Sequence, residues 1–187
     1  MKLLLILFIT TLCLGCAPWA HSRYIDTQSG SLMGLIHLSI GDHFFTHHHL
    51  SFGLGYVPKL EKHAEMTLAS FAYRYQQPFH FKLKNHFLIS PLNFGISILV
   101  GSHRELFIEL PSQYPDDDYY EPSAFRLIFN YQSILHVSHK TELYLNFSIL
   151  DVGLIGYVRE PNFYRDNYRF LGLDGITTWG LGLRHKF

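Results

Sequence analysis

The amino-acid sequence predicts an all-β fold: an antiparallel up-and-down transmembrane β-barrel of eight strands, with ten as the alternative count. Three observations carry that expectation. Apolar residues recur at every second position in segment after segment, the period of a strand with one apolar face. The composition is rich in aromatics and glycine, with 16 Phe, 12 Tyr and 14 Gly beside only 16% charged residues. Beyond the N-terminus, no continuous apolar run reaches the length that a membrane-crossing helix needs.

The chain opens "MKLLLILFITTLCLGCAPWA". One Lys precedes an apolar run from Leu3 to Leu14, which is too short to span a membrane but suits the core of a signal peptide. Residues 1–16 are therefore set apart as a signal peptide. Cleavage after Ala20 or Ala17 would leave Pro18 at an unfavourable position. Gly15-Cys16 resembles the lipobox of bacterial lipoproteins, although Cys13 stands where that family usually has Leu. The resemblance implies that Cys16 carries the lipid. Both cysteines lie in this region, so the rest of the chain has no internal disulfide.

Residues 17–31 read as a polar N-terminal segment, and the barrel is expected over 32–187. Leu32, Ile36, Leu38 and Ile40 alternate with Met33, Leu35, His37 and Ser39, and Leu50, Phe52, Leu54 and Tyr56 alternate with Ser51, Gly53 and Gly55. A less regular third segment runs from Ala64 to Tyr75. Phe79, Phe81, Leu83, Phe87 and Ile89 oppose His80, Lys82, Lys84 and His86. Past an expected turn at Ser90-Pro91, Leu92, Phe94, Ile96, Ile98 and Val100 oppose Asn93, Gly95 and Ser97. Phe125 to Gln132 and Leu143 to Ile149 follow, and the end of the chain, "TTWGLGLRHKF", places Trp179, Leu181, Leu183, His185 and Phe187 on one face. Ten strands result if Glu105 to Leu110 and Val152 to Val158 pair as well.

Each segment is close to the ~10 residues that a tilted strand needs to cross hydrocarbon. A soluble sandwich or lipocalin-like barrel would carry a dense Lys and Glu cover on its polar face. These faces carry Gly, Ser and Asn instead. With 15 basic and 15 acidic residues, the charge balance offers nucleic acid no electrostatic footprint.

"GLGLRHKF" resembles the C-terminal β-signal of bacterial outer-membrane proteins. Gly182 and the terminal aromatic Phe187 match it, while His185 departs from the apolar residue expected there. The resemblance implies the barrel-assembly machinery as a transient partner, outer-membrane lipid and lipopolysaccharide as surroundings, and a Gram-negative cell envelope as location. The build is similar to the OmpA and OmpX transmembrane barrels. In such barrels periplasmic turns are short and outer loops long. Numbered from a periplasmic N-terminus, Pro58 to His63, Ser90-Pro91 and Leu135 to His139 become periplasmic turns. His103 to Ser123 and Arg159 to Gly175 become outer loops.

An eight-stranded barrel is filled by its own side chains and should not conduct. The interior is expected to hold Glu65, His80, Lys82, Lys84, Arg126, Asn130, Gln132, Glu142, Asn146, Arg184 and Lys186, with positive charge in excess. Three constellations invite chemistry. "HVSH" resembles the His-x-Ser pair of outer-membrane lipid A deacylases: His136 and Ser138 match, the following Asn is His139 here, and Asp151 or Glu142 would serve as the orienting acid. In "GDHFFTHHH", on an outer hairpin, His43, His47 and His49 could reach one zinc or copper ion, although a polar surface loop has the same composition and no cofactor is expected. Asp116 to Asp118 could bridge cations but lack a spaced calcium loop. The main expectation is a structural, adhesive or surface-interaction role through the long loops. The alternative is a lipid A-modifying enzyme of the deacylase or acyltransferase type.

Overall fold

The computed structural model describes residues 23–59, 65–83, 87–103, 106, 124–152, 157–158 and 161–187. Its strands are β1 (Arg23–Gly30), β2 (Ile36–Phe44), β3 (His48–Val57), β4 (Met66–Gln76), the two-residue β5 (Phe81–Lys82), β6 (Leu88–Ser102), β7 (Phe125–His136), β8 (Thr141–Leu150) and β9 (Thr177–Lys186). The short helices α1 (Pro161–Asp166), α2 (Tyr168–Leu171) and α3 (Leu173–Ile176) precede β9. The strands pair antiparallel in the order β4-β3-β2-β1-β9-β8-β7-β6, and β4 pairs with β6 to close the ring. The expected closed, eight-stranded, antiparallel barrel is present, and β5 is a short flap on the start of β6.

The barrel begins at Arg23, inside the stretch that reads as polar. β1 has the sequence RYIDTQSG: Tyr24, Asp26 and Gln28 turn inward and are buried, while Arg23, Ile25 and Thr27 turn outward. A strand with a polar inward face and only Ile25 as an apolar outward residue shows no apolar alternation, so periodicity does not reveal it. Conversely, Ser90-Pro91 is no turn. β6 runs through it, and a bulge between Ser90 and Asn93 absorbs the proline, which has no N–H for the ladder. One missed strand and one strand divided in two leave the count at eight. Of the two extra segments in the ten-strand alternative, Val152, Tyr157 and Val158 are helical and Leu106 lies outside the strands; the rest falls outside the described residues.

The same two differences shift the ends. Arg23, Phe44, His48, Gln76, Leu88, His136, Thr141 and Lys186 lie at one end of the barrel, with both of its termini, and Gly30, Ile36, Val57, Met66, Ser102, Phe125, Leu150 and Thr177 lie at the other. Pro58, at the end of β3, therefore shares an end with Ser102 and Leu150, where the two long connections begin, and not with 135–139 as the sequence register has it; residues 60–63 of that expected turn lie outside the described residues. The 42–49 hairpin sits at the termini end. Residues after β6 keep their expected ends, because the divided strand restores the parity that the missed one removes.

The wall is inverted relative to a water-soluble barrel. Ile36, Leu38, Ile40, Phe52, Leu54, Phe71, Phe94, Leu181 and Leu183 are exposed, whereas Asp26, Glu142, Asn146 and Arg184 are about 1% accessible. No helix among the described residues is long and apolar enough to cross a membrane.

Candidate functional site: a charged interior, a serine relay and an apolar chamber

Three layers fill the interior from the termini end to the long-loop end. The first is built on Arg184 of β9. Its Nε and Nη2 donate to Asp26 Oδ2 at 3.2 and 3.1 Å, and its Nη1 donates to Glu142 Oε2 at 3.1 Å. Arg74 Nη1 donates to the same Asp26 oxygen at 2.9 Å, Tyr144 donates its hydroxyl to Asp26 Oδ1, and Lys186 donates to Glu142 Oε1. The Arg184 guanidinium lies between the rings of Tyr24 and Tyr144, 5.0 and 5.2 Å from their centroids. The pairing is what permits such burial, since an unpaired charge at this depth would cost several kcal/mol. Asp26, on the strand that periodicity missed, answers much of the positive excess that the sequence leaves unbalanced.

The second layer is small and polar. Asn130 Nδ2 donates to Ser97 Oγ at 2.7 Å, Asn146 Nδ2 to Ser31 Oγ at 2.7 Å, and Ser148 Oγ to Asn130 Oδ1 at 2.6 Å. The third layer, Met33, Leu68, Leu99 and Ile128, is apolar. Of the residues expected inside, Asn130, Gln132, Glu142, Asn146 and Arg184 are buried, and Lys186 and Arg126 are partly so. Glu65, His80 and Lys82 are exposed, and Lys84 lies outside the described residues.

At the termini end the charged layer continues into a relay. His136 Nδ1 lies 3.2 Å from Glu142 Oε1, and its Nε2 lies 2.8 Å from Ser90 Oγ, which in turn lies 2.5 Å from His80 Nδ1. One assignment satisfies every proton: His80 Nδ1–H donates to Ser90, Ser90 O–H donates to His136 Nε2, and His136 Nδ1–H donates to the carboxylate. Ser90, His136 and Glu142 thus stand in the order of a nucleophile, base and orienting acid, but Ser90 is wholly buried beneath His80. The partial burial of the His80 ring, then the neighbouring His136, hold its pKa below the ordinary imidazole value.

The structure brings His136 and Glu142 together and leaves the other expected members apart. Ser138 Oγ accepts from the backbone N–H groups of Lys140 and Thr141, at 3.3 and 3.0 Å, and closes the turn. Asp151 is at the opposite end of β8, where its Oδ2 accepts from the N–H of Leu127 at 3.0 Å. The serine that meets His136 is 46 residues away in sequence. No spacing motif announces it; the signal available was the bulge-forming proline beside it.

Of the histidine trio, His43 and His49 pack together with ring centroids 3.8 Å apart and planes tilted by 53°, next to Tyr24. His47 instead packs against Tyr75. No group of three or more His, Cys, Asp or Glu able to hold a metal ion occurs among the described residues. Asp116 to Asp118 and Cys16 lie outside the described residues. Gly182 sits under the Tyr144 ring, which fills the place of any side chain there. Phe187 is exposed in phase with Leu181 and Leu183, and its N–H donates to Arg23 O at 3.0 Å. Comparison with known proteins finds no matching family model and no curated relative.

Proposed function

We propose that the protein is a sealed β-barrel of the outer membrane of a Gram-negative bacterium, with its termini and short turns in the periplasm and its long connections outside. Its role is structural or adhesive, through those outer connections, amid outer-membrane lipid and lipopolysaccharide. The single observation that carries this reading is the inversion of the wall. A belt of Ile, Leu and Phe faces outward while the ionic cluster is enclosed, and an apolar belt of that extent is unstable in water but natural in lipid. The layered interior supports a barrel that does not conduct. The aromatic end at Phe187 supports delivery by the barrel-assembly machinery.

A lipid on Cys16 fits the same arrangement. With β1 starting at Arg23, the thioether would lie seven residues (23 − 16) from the rim at the termini end, within reach of the inner leaflet for an extended segment of about 3.3–3.6 Å per residue. The test of the whole reading is fractionation followed by electrophoresis. The protein should be recovered with outer membranes and run as a compact band unless boiled. A folded, monodisperse protein in plain buffer would sink it.

The order Ser90–His136–Glu142 favours a second reading, an ester hydrolase acting on lipid acyl groups. At the termini end the accessible esters would be those of the inner leaflet, and His80 would have to swing away from Ser90. A fluorophosphonate probe decides the matter: labelling lost in Ser90→Ala and retained in Ser138→Ala supports the hydrolase, and no labelling of the folded barrel dismisses it.

A further inference from the structure

At the long-loop end the interior opens into a cavity lined mainly by apolar side chains. A cavity of about 850 Å³ lies there, bounded by Leu32, Val57, Met66, Leu68, Leu99 and Leu150. Leu68 and Leu99 belong to the buried cluster with Met33 and Ile128, so the wall of the chamber is continuous with the apolar layer. A small barrel ordinarily fills itself. A roomy cavity with apolar walls gives water few hydrogen-bond partners, and such cavities take apolar guests.

The local backbone is arranged around this space at some conformational expense. Ser31 and Leu32 both adopt the left-handed region, with φ of 62° and 65°, which non-glycine residues seldom occupy. Ser31 is held there by hydrogen bonds to Ser148 and Asn146, at 2.6 and 2.7 Å. Leu32 is thereby turned onto the apolar cluster. Strained non-glycine residues of this kind gather at binding sites more often than elsewhere.

The chamber carries one charge among its described lining residues, Arg126, whose Nη1 donates to Phe125 O at 3.0 Å. Arg126 pairs in register with Leu99, one rung nearer the mouth than Ile128. We propose that this chamber binds a single saturated alkyl chain bearing an anionic head group, with the tail against Leu68, Leu99 and Leu150 and the head at Arg126. The volume lies within the roughly 300–1,000 Å³ typical of small-ligand pockets. A free fatty acid and an acyl chain of a lipopolysaccharide share this chemistry.

The experiment uses the full chain folded in a bile-salt detergent, which has no alkyl tail, and dodecanoic acid with a diazirine in its tail. After irradiation, peptide mass spectrometry should locate saturable crosslinks at Leu68, Leu99 or Leu150. Plain dodecanoate should compete about tenfold better than dodecyltrimethylammonium, the scale of one charge-assisted hydrogen bond, and Arg126→Gln should abolish that preference. Leu99→Trp should remove the interior crosslinks by filling the chamber, with Met66→Trp as the second filler if the first does not fold. Dodecanoate competing at lower concentration than purified lipid A assigns the site to free fatty acids, and purified lipid A competing at lower concentration than dodecanoate assigns it to the outer-leaflet glycolipid; both uphold the chamber. Crosslinks confined to outward residues such as Phe52 and Leu54, interior crosslinks indifferent to the fillers, or equal competition by both head groups would overturn the inference. Access to the mouth rests on the membrane-barrel reading, which the gel shift of the same samples reports separately. A compact, heat-shifted barrel without interior crosslinks overturns the inference alone.

Discussion

The ring of Tyr144 on β8 lies over Gly182 of β9, its paired residue, and occupies the volume that any side chain at 182 would need. The close approach brings the Tyr144 hydroxyl to Asp26 and its ring face to Arg184. Gly182→Ala should therefore push the ring off the guanidinium and cost about 1–3 kcal/mol, the usual scale of overpacking. The check is the temperature at which the compact gel band converts to the unfolded one. A Gly182→Ala variant with unchanged conversion would show that Tyr144 has room to move, and would leave the β-signal resemblance as the remaining account of this glycine.

Arg184 joins Asp26 to Glu142 across the interior. Arg184→Met removes the central cation and leaves two buried carboxylates that share the remaining cations, Arg74 and Lys186. The expected loss is about 3–5 kcal/mol, as when one partner of a buried pair is deleted. The triple replacement Arg184→Met, Asp26→Asn, Glu142→Gln should recover part of it, because the charges disappear together. Urea midpoints of the three proteins in lipid vesicles measure this, and a triple variant weaker than the single one would refute the pairing argument.

How far the sequence reveals this architecture depends on which face of a strand carries the pattern. β2, β3, β8 and β9 are plain in the sequence because outward Ile, Leu and Phe alternate with inward Ser, Gly, Asn and Arg. β1 is invisible because only Ile25 marks its outer face, and with it Asp26, the hub of the ionic cluster, is lost to sequence reasoning. His136 is singled out by the His-x-Ser resemblance, and Glu142, six residues on and across one turn, is one of the two acids offered for it. Ser90 is not singled out, since its contact depends on the register between β6 and β7, which the Pro91 bulge resets. The apolar chamber is equally unreadable, because its Leu and Met residues differ from the outward ones only in the face they occupy.

His80 gives a dependence on pH. Its pKa is lowered in the fold, so between that value and the ordinary imidazole value of about 6.5 the unfolded chain binds more protons than the folded one. Stability from the His80–Ser90 contact is then present above about pH 6.5 and is lost as the pH falls below it. Thermal conversion of the wild-type barrel should rise from pH 5 to pH 7, and the rise should shrink in His80→Gln. An identical slope in the variant would assign the effect to another group.

Phe187 tests delivery. It is exposed at the edge of the apolar belt, and its side chain meets no part of the ionic interior. Phe187→Asp should lower the amount of assembled barrel and raise its degradation before assembly, while protein refolded in detergent keeps a thermal conversion close to wild type. A charge on a lipid-facing position near the rim costs only about 0–1 kcal/mol, so a large assembly defect points to recognition. Normal surface levels of the variant would mean that the ending is not read as a signal.

The last prediction concerns which end faces out, and it separates the register of the structure from that of the sequence. Beyond residue 16 the chain has no cysteine, so single cysteines can be placed at Pro58, Ser138 and Asn162 and probed with an impermeant maleimide. Pro58 and Asn162 lie at the end of the long connections, and Ser138 lies at the end of the termini in an exposed turn. If the termini end faces the periplasm, Pro58→Cys and Asn162→Cys should label in intact cells and Ser138→Cys only after permeabilisation. The sequence register alone would have put residue 58 with residue 138. Labelling of Ser138→Cys in intact cells would reverse the proposed orientation, bring the Ser90–His136–Glu142 relay to the outer leaflet, and give the hydrolase reading access to lipid A. Lipid A with an unchanged acyl pattern in a Ser90→Ala strain would then be the result needed to dismiss it.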